Sequence, residues 1–301
     1  MKRFDMHIHA RNTEVNPGKL LANMEKAGIY GGCIFSNRPI KGDPDRGTSF
    51  DERLREVLAW TCEHKDRLFP VLWIHPYEDN IYENIHRAVE SGVVAFKMIC
   101  VDYYVYETKC MDVLAEIAKL GKPVIFHSGI CWGDKPESKY NKPLNWEELI
   151  GIKGLKFSMG HCSWPWHDEC IALYGKFLNG LTLNPSCAEM FFDLTPGTPM
   201  IYREELLRKL MTVGYDVPDN IMFGTDGAAH NYDLNWTKEW MKLDDQIYDS
   251  LGVTEDIKEK IYGDNLMRFL GLKEKDFTHI SPVCDRFQTW YPGLVRDEYK
   301  K

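Results

Sequence analysis

Short apolar runs alternate along the chain with stretches whose apolar residues recur every three or four positions. The runs at 4–9, 32–36, 68–74, 93–100, 123–127, 155–161, 181–184 and 221–226 read as strands. Between them Leu20, Leu21 and Met24 form a helical stripe, as do Leu54, Val57 and Leu58, then Ile81, Ile85 and Val89, then Met111, Leu114 and Ile117. Ile171, Tyr174 and Phe177 repeat the pattern, followed by Leu206, Leu207, Leu210 and Met211, and Ile257, Ile261 and Leu266 open a last helix. Strands apolar on both faces belong to a parallel sheet covered by helices. Eight alternations predict an α/β fold, a (β/α)8 TIM barrel with a C-terminal extension. The alternative is an open doubly wound sheet, but the glycine-rich phosphate fingerprint is absent after the first strand. No repeat or linker splits the chain, so 1–301 reads as one barrel domain.

Two segments exceed ordinary loop length. Residues 37–49, rich in Pro, Gly and charge, follow the second strand and would cover the barrel mouth as a lid. The tail carries Phe277, Phe287, Trp290 and Tyr291, and 273–301 is expected to pack on the barrel or on a second subunit.

A 44% hydrophobic content over 301 residues suits one large domain. The net charge of −8 and pI of about 5.7 argue against nucleic-acid or anionic-membrane binding, while leaving a small anionic substrate open, because pocket charge is local. No apolar run approaches a membrane span, and the N-terminus has no signal-peptide core. Nine scattered cysteines without a Cys-x-x-Cys fit reduced thiols in a cytoplasmic protein.

The chemistry gathers at strand ends. In Phe4-Asp5-Met6-His7-Ile8-His9, strand alternation points His7 and His9 the same way, so both imidazoles can meet one ion. His127, His161 and Asp226 each follow a further apolar run. In a barrel these ends form the mouth, where such folds build their sites. His7, His9, His127 and Asp226 can supply a metal cage, and His161 can orient water or substrate or stabilise developing charge.

With these residues in place, the chain resembles the amidohydrolase superfamily, in the amidohydrolase-related branch that includes aminocarboxymuconate-semialdehyde decarboxylase. The resemblance spans roughly residues 4 to 272 and rests on His7-Ile8-His9, His127, His161 and Asp226. It is supported by the stretches Gly160-His161-Cys162-Ser163-Trp164-Pro165-Trp166 and Ile261-Tyr262-Gly263-Asp264-Asn265-Leu266-Met267-Arg268-Phe269-Leu270. It implies one divalent ion, zinc ahead of manganese, held by His7, His9, His127 and Asp226. His161 and Asp226 are then the catalytic pair, and a homodimer is the expected assembly. On the fourth strand, Lys97 fits three roles: a bridging carbamate, a contact for a substrate carboxylate, or a buried structural cation.

Other positions carry weaker signals. Arg11 and Arg38 are candidate carboxylate contacts, whereas Arg46 has Asp43 and Asp45 as partners in its own loop. His230 and Trp132 are candidate mouth residues. Trp164, Trp166, Tyr103, Phe191 and Phe192 fall near expected mouth loops. His75 reads as a packing or loop-anchoring residue, and His167 as a loop residue near the mouth. His64 and His86 fall within helices and His279 in the tail, where solvation is the default, and Cys162 and Cys187 read as inert thiols.

The expected activity is metal-dependent hydrolysis of a small, carboxylate-bearing cyclic substrate. The alternative on the same scaffold is non-oxidative decarboxylation of an aromatic or muconate-like acid. A non-catalytic, ligand-binding barrel would have no physical reason to keep the cage.

Overall fold

The computed structural model describes residues 2–11, 14–39 and 49–272. Most of the expected lid, with Asp43, Asp45 and Arg46, lies outside the described residues, as do His279 and the aromatic tail.

Strands β1 (Phe4–His9), β2 (Gly31–Phe35), β3 (Leu68–Trp73), β4 (Ala95–Met98), β5 (Val124–Phe126), β6 (Lys156–Met159) and β7 (Glu189–Asp193) pair in parallel, each with the next in chain order. The eighth stave is split. Its first half, β8 (Ile221–Met222), pairs with β7, and its second half, β9 (Gly227–Ala228), pairs with β1. Between the halves, the Phe223 carbonyl accepts the Met6 N–H at 3.0 Å, which closes the ring. The split has a local cause. Phe223 N–H donates out of the sheet to the Ile261 carbonyl at 3.2 Å, and Ile261 belongs to a π-turn, Lys260–Asp264. Asn265 Nδ2 reinforces the seam by donating to the carbonyls of Pro218 and Ile221.

The helices are α1 (Pro17–Ala27), α2 (Phe50–Thr61), α3 (Ile81–Glu90), α4 (Thr108–Lys119), α5 (His167–Leu183), α6 (Arg203–Thr212), α7 (Leu234–Ser250), α8 (Glu255–Glu259) and α9 (Asn265–Leu270). Their ends follow ordinary capping chemistry. Asn16 accepts from Lys19 N–H ahead of Pro17, and Ser49 and Glu52 form a reciprocal capping box. The apolar stripes face the sheet as expected: Leu20, Leu21 and Met24 are buried on α1, and Ile171, Tyr174 and Phe177 on α5. Short 3-10 turns, Ser138–Asn141 and Pro143–Gly151, stand where a helix would join β5 to β6.

One expected strand is wrong. Residues 181–184 fall at the end of α5 and just beyond it, and Leu183 is 78% exposed, which no strand buried on both faces would allow. The seventh strand is Glu189–Asp193, so Phe191 and Phe192 are buried strand residues rather than mouth-loop aromatics. His64 also lies beyond the end of α2, in a turn bonded to Thr61.

The core has two parts. One lies between sheet and helices. The other collects Met6, Cys33, Phe35, Phe69, Val71, Ala95, Ile125, Phe191 and Met222 with Leu266, Phe269 and Leu270 of α9. This second cluster fills the barrel lumen beneath the C-terminal strand ends, so the polar residues at those ends sit on a packed floor. Among the described residues no helix is long and apolar enough to cross a membrane.

Candidate metal centre

Strand alternation and barrel closure assemble the centre together. His7 and His9 share a face of β1, with ring centroids 5.1 Å apart. Asp226 lies between β8 and β9 with a left-handed φ of 57°. Asp5 ties the two segments together. Its Oδ1 accepts from the backbone N–H groups of His7 and Thr225, both at 3.0 Å, and its Oδ2 accepts from Thr225 Oγ1 at 2.6 Å and Tyr232 OH at 2.8 Å. Burial outweighs these four donors and pushes the Asp5 carboxyl up to about 6. Gly224 permits the approach: a Cβ there would meet Thr195 Oγ1 at 2.6 Å and His7 Cβ at 3.0 Å.

Among the described residues, His7, His9 and Asp226 bring one ligand atom each within 4.8 Å of one another. Asp226 Oδ1 is 3.0 Å from His9 Nε2 and 3.6 Å from His7 Nε2. Ligands about 2.1 Å from a tetrahedral ion stand about 3.4 Å apart, so both separations suit neighbours on one ion. The His9 contact also has the length of a hydrogen bond. Burial alone would raise the Asp226 carboxyl, but the His9 hydrogen bond and the nearby His7, His9 and His161 hold it well below the usual range. Burial, with the Lys97 charge, lowers His7 to about 4 and also lowers His127 and His161. All three therefore stay neutral near pH 7, the form in which imidazole ligates.

His161 follows β6 with a φ of 57°, and its ring lies 5.6 Å from that of His7 and 5.0 Å from that of His127. Its Nδ1 is 3.2 Å from the Thr195 carbonyl. His127 stands beside His161 rather than in the group of three, with its Nε2 3.1 Å from the Ile130 carbonyl. A carbonyl only accepts, so that nitrogen carries the proton and Nδ1 keeps the lone pair. Lys97 is buried on β4, with its Nζ 5.2 Å from the Phe35 ring and no hydrogen-bond partner among the described residues. The Phe35 ring in turn lies 4.5 Å from that of His7. Burial lowers the Lys97 ammonium to about 8 against the pull of Asp193 and Asp226.

The remaining candidates stand further out. Arg11 is exposed just past β1, with a φ of 51°. Arg38 is half-buried, near enough to Cys131 for its charge to act on that thiol. Trp132 is 73% exposed and stacks on Trp164 at 5.7 Å. His230 is half-buried after β9, with no partner for Nδ1 among the described residues. His75 bonds Asp102 and accepts the Tyr77 N–H, and His167 opens α5. Burial pushes the Cys162 thiol well up.

Asp193 is the residue that sequence reasoning missed. It ends β7, two positions after the lumen residue Phe191, and is fully buried. Its Oδ2 lies 2.7 Å from His7 Nδ1. The signal was present: like His127 after Ile125-Phe126, it follows an apolar pair, Phe191-Phe192, at a strand end.

Solved structures share the fold. A TIM-barrel protein from Bordetella bronchiseptica aligns at TM-score 0.61 and 16% identity, over 90% of this chain and 99% of its own. A zinc-bound amidohydrolase from Burkholderia multivorans aligns at TM-score 0.63 and 14% identity, over 91% of this chain and 100% of its own. A 2,6-dihydroxybenzoate decarboxylase from Rhizobium aligns at TM-score 0.63 and 15% identity, over 90% and 99%. No curated protein sequence matches the chain. The amidohydrolase family pattern matches residues 4–272, nearly the whole described length, and the chain belongs to the amidohydrolase family.

Proposed function

We propose that the protein is a metal-dependent hydrolase of a small, carboxylate-bearing cyclic substrate. The observation that carries this reading is the convergence of His7, His9 and Asp226 at the barrel mouth. Two imidazoles and a carboxylate suit one divalent ion, zinc ahead of manganese, with His127 as fourth ligand through Nδ1. Such an ion supplies Lewis acidity and lowers the pKa of a water from 15.7 to about 7.

The protein's own residues do the rest. Asp226, held ionised, takes a proton from the attacking water and passes it to the leaving group. His161, with its proton committed from Nδ1 to the Thr195 carbonyl, presents Nε2 as an acceptor that orients the attacking water. Lys97 is a buried cation without an acceptor among the described residues, and a substrate carboxylate would supply one. Arg11, Arg38, His230 and Trp132 are proposed contacts further up the mouth.

Lys97 also favours a second reading. A buried ammonium lowered to about 8 is still protonated at neutral pH and could return a proton to carbon after loss of carbon dioxide. That is the requirement of a non-oxidative decarboxylase.

The zinc-loaded protein should be offered carboxylate-bearing cyclic amides and lactones beside hydroxybenzoates and muconate-like acids. Ring opening is expected, slowed about 10²- to 10⁴-fold in Asp226→Asn. Carbon dioxide release without ring opening would replace the first reading with the second. Unchanged turnover in an Asp226→Asn variant that keeps its metal would remove Asp226 from the chemistry.

A further inference from the structure

We infer that Asp193 is a positioning residue that selects the tautomer of His7, leaving Nε2 as the nitrogen able to bind an ion beside His9 and Asp226. The inference rests on the metal-centre reading above and assigns a role to a strand that supplies no ligand.

Asp193 and His7 are 0% and 1% exposed, so no water competes for their contact. An ionised carboxylate can only accept, so the 2.7 Å contact requires the proton on His7 Nδ1. The carboxylate cannot turn away, because Oδ1 accepts from Thr195 N–H at 2.8 Å and from Thr195 Oγ1. With the proton on Nδ1, His7 Nε2 is a bare lone pair 3.6 Å from Asp226 Oδ1. Two acceptors then face each other, an arrangement that a cation relieves and that a proton on Nδ1 cannot.

The same turn serves a second ring. The Thr195 carbonyl accepts from His161 Nδ1 at 3.2 Å, so His161 also carries its proton on the outer nitrogen. Arg203 steadies the turn by donating from Nη1 to the Leu194 carbonyl at 2.7 Å. Strand seven thus sets the protonation pattern of both rings from one side.

Asp193→Asn is the informative change because it preserves shape. The two Thr195 donors hold the amide oxygen on their side, which turns the Nδ2 donor towards His7 Nδ1. His7 must then carry its proton on Nε2, the nitrogen required by the ion.

The experiment uses full-length protein with ¹⁵N-labelled histidine, stripped of metal. Long-range ¹H–¹⁵N correlations read each tautomer, with the His7 signals assigned by their loss in His7→Ala. Zinc affinity is measured on the same samples by competition with a chromophoric chelator. The wild type should show His7 protonated on Nδ1. Asp193→Asn should show it protonated on Nε2, with zinc bound about 10- to 100-fold more weakly. A wild-type His7 protonated on Nε2, or an Asp193→Asn protein with unchanged tautomer and affinity, overturns the inference. The wild-type spectrum alone decides the tautomer if the variant fails to fold. A wild type protonated on Nδ1 that binds no zinc overturns the metal-centre reading while upholding the tautomer assignment.

Discussion

Asp226 Oδ1 and His9 Nε2 stand 3.0 Å apart across the seam where the eighth stave meets the first. The register that closes the barrel, Ile8 with Gly227 and His9 with Ala228, also delivers Asp226 to the histidine pair. Asp5 and Tyr232 lock that seam from below. Closure of the fold and convergence of His7, His9 and Asp226 are therefore one structural event, and the proposed ligand atoms are held together by the fold itself. Such preorganisation limits what binding must spend on ordering side chains.

The β7–α6 loop presses on His161 at Gly197. A Cβ there would come within 2.5 Å of His161 Cγ and 2.6 Å of Nδ1. Gly197→Ala must displace the ring or the loop, losing about 1–3 kcal/mol of stability by overpacking and about 10²-fold in turnover by misplacement. Urea unfolding and steady-state rates read the two effects separately. A variant with unchanged turnover would show that the position of His161 does not matter.

Arg203 and Asp244 form a fully buried pair, Nε to Oδ1 and Nη2 to Oδ2 both at 2.7 Å, joining α6 to α7 behind the strand-seven turn. Arg203→Leu leaves an uncompensated buried carboxylate and should cost about 3–5 kcal/mol in guanidinium unfolding. Arg203→Met combined with Asp244→Leu should recover much of that loss. A double variant as unstable as the single one would show that the pair does more than neutralise itself.

Glu56 on α2 holds the start of the long loop, accepting from Asn37 N–H at 3.1 Å and Nδ2 at 2.7 Å. Burial outweighs these donors and raises its carboxyl from 4.5 to about 7. The folded state therefore binds this proton more tightly than the unfolded chain. Its contribution to stability is fully present below pH 4.5 and is lost as pH rises through about 7. Glu56→Gln removes that dependence, so its stability relative to wild type should improve between about pH 5 and about pH 8. A wild-type-minus-variant difference that is flat with pH contradicts the assignment.

The sequence made most strands legible because their apolar runs are continuous and each mouth end carries a polar residue, as in Phe126-His127 and Gly224-Thr225-Asp226. Strand seven escaped. The Leu181-Thr182-Leu183 alternation mimics a strand but only ends a 17-residue helix, while Glu189–Asp193 opens with a charge at the lumen floor, where Glu189 meets Arg268. Misplacing that strand hid Asp193. Helix α7 escaped too, because its buried face mixes Trp240 and Tyr248 with Thr237 and Asp244 and so reads as polar. Which residues share a strand end is a pattern along the chain. Which nitrogen of a ring faces the centre depends on contacts such as Asp193 with His7, 186 positions apart.

The most direct test of the account is metal content per chain, by elemental analysis of protein purified without chelator, beside a His7→Ala/His9→Ala control. A metal centre built on His7, His9 and Asp226 should give about one divalent ion per chain in the wild type and lose it in the control. No ion in the wild type, even after incubation with zinc or manganese, would contradict it.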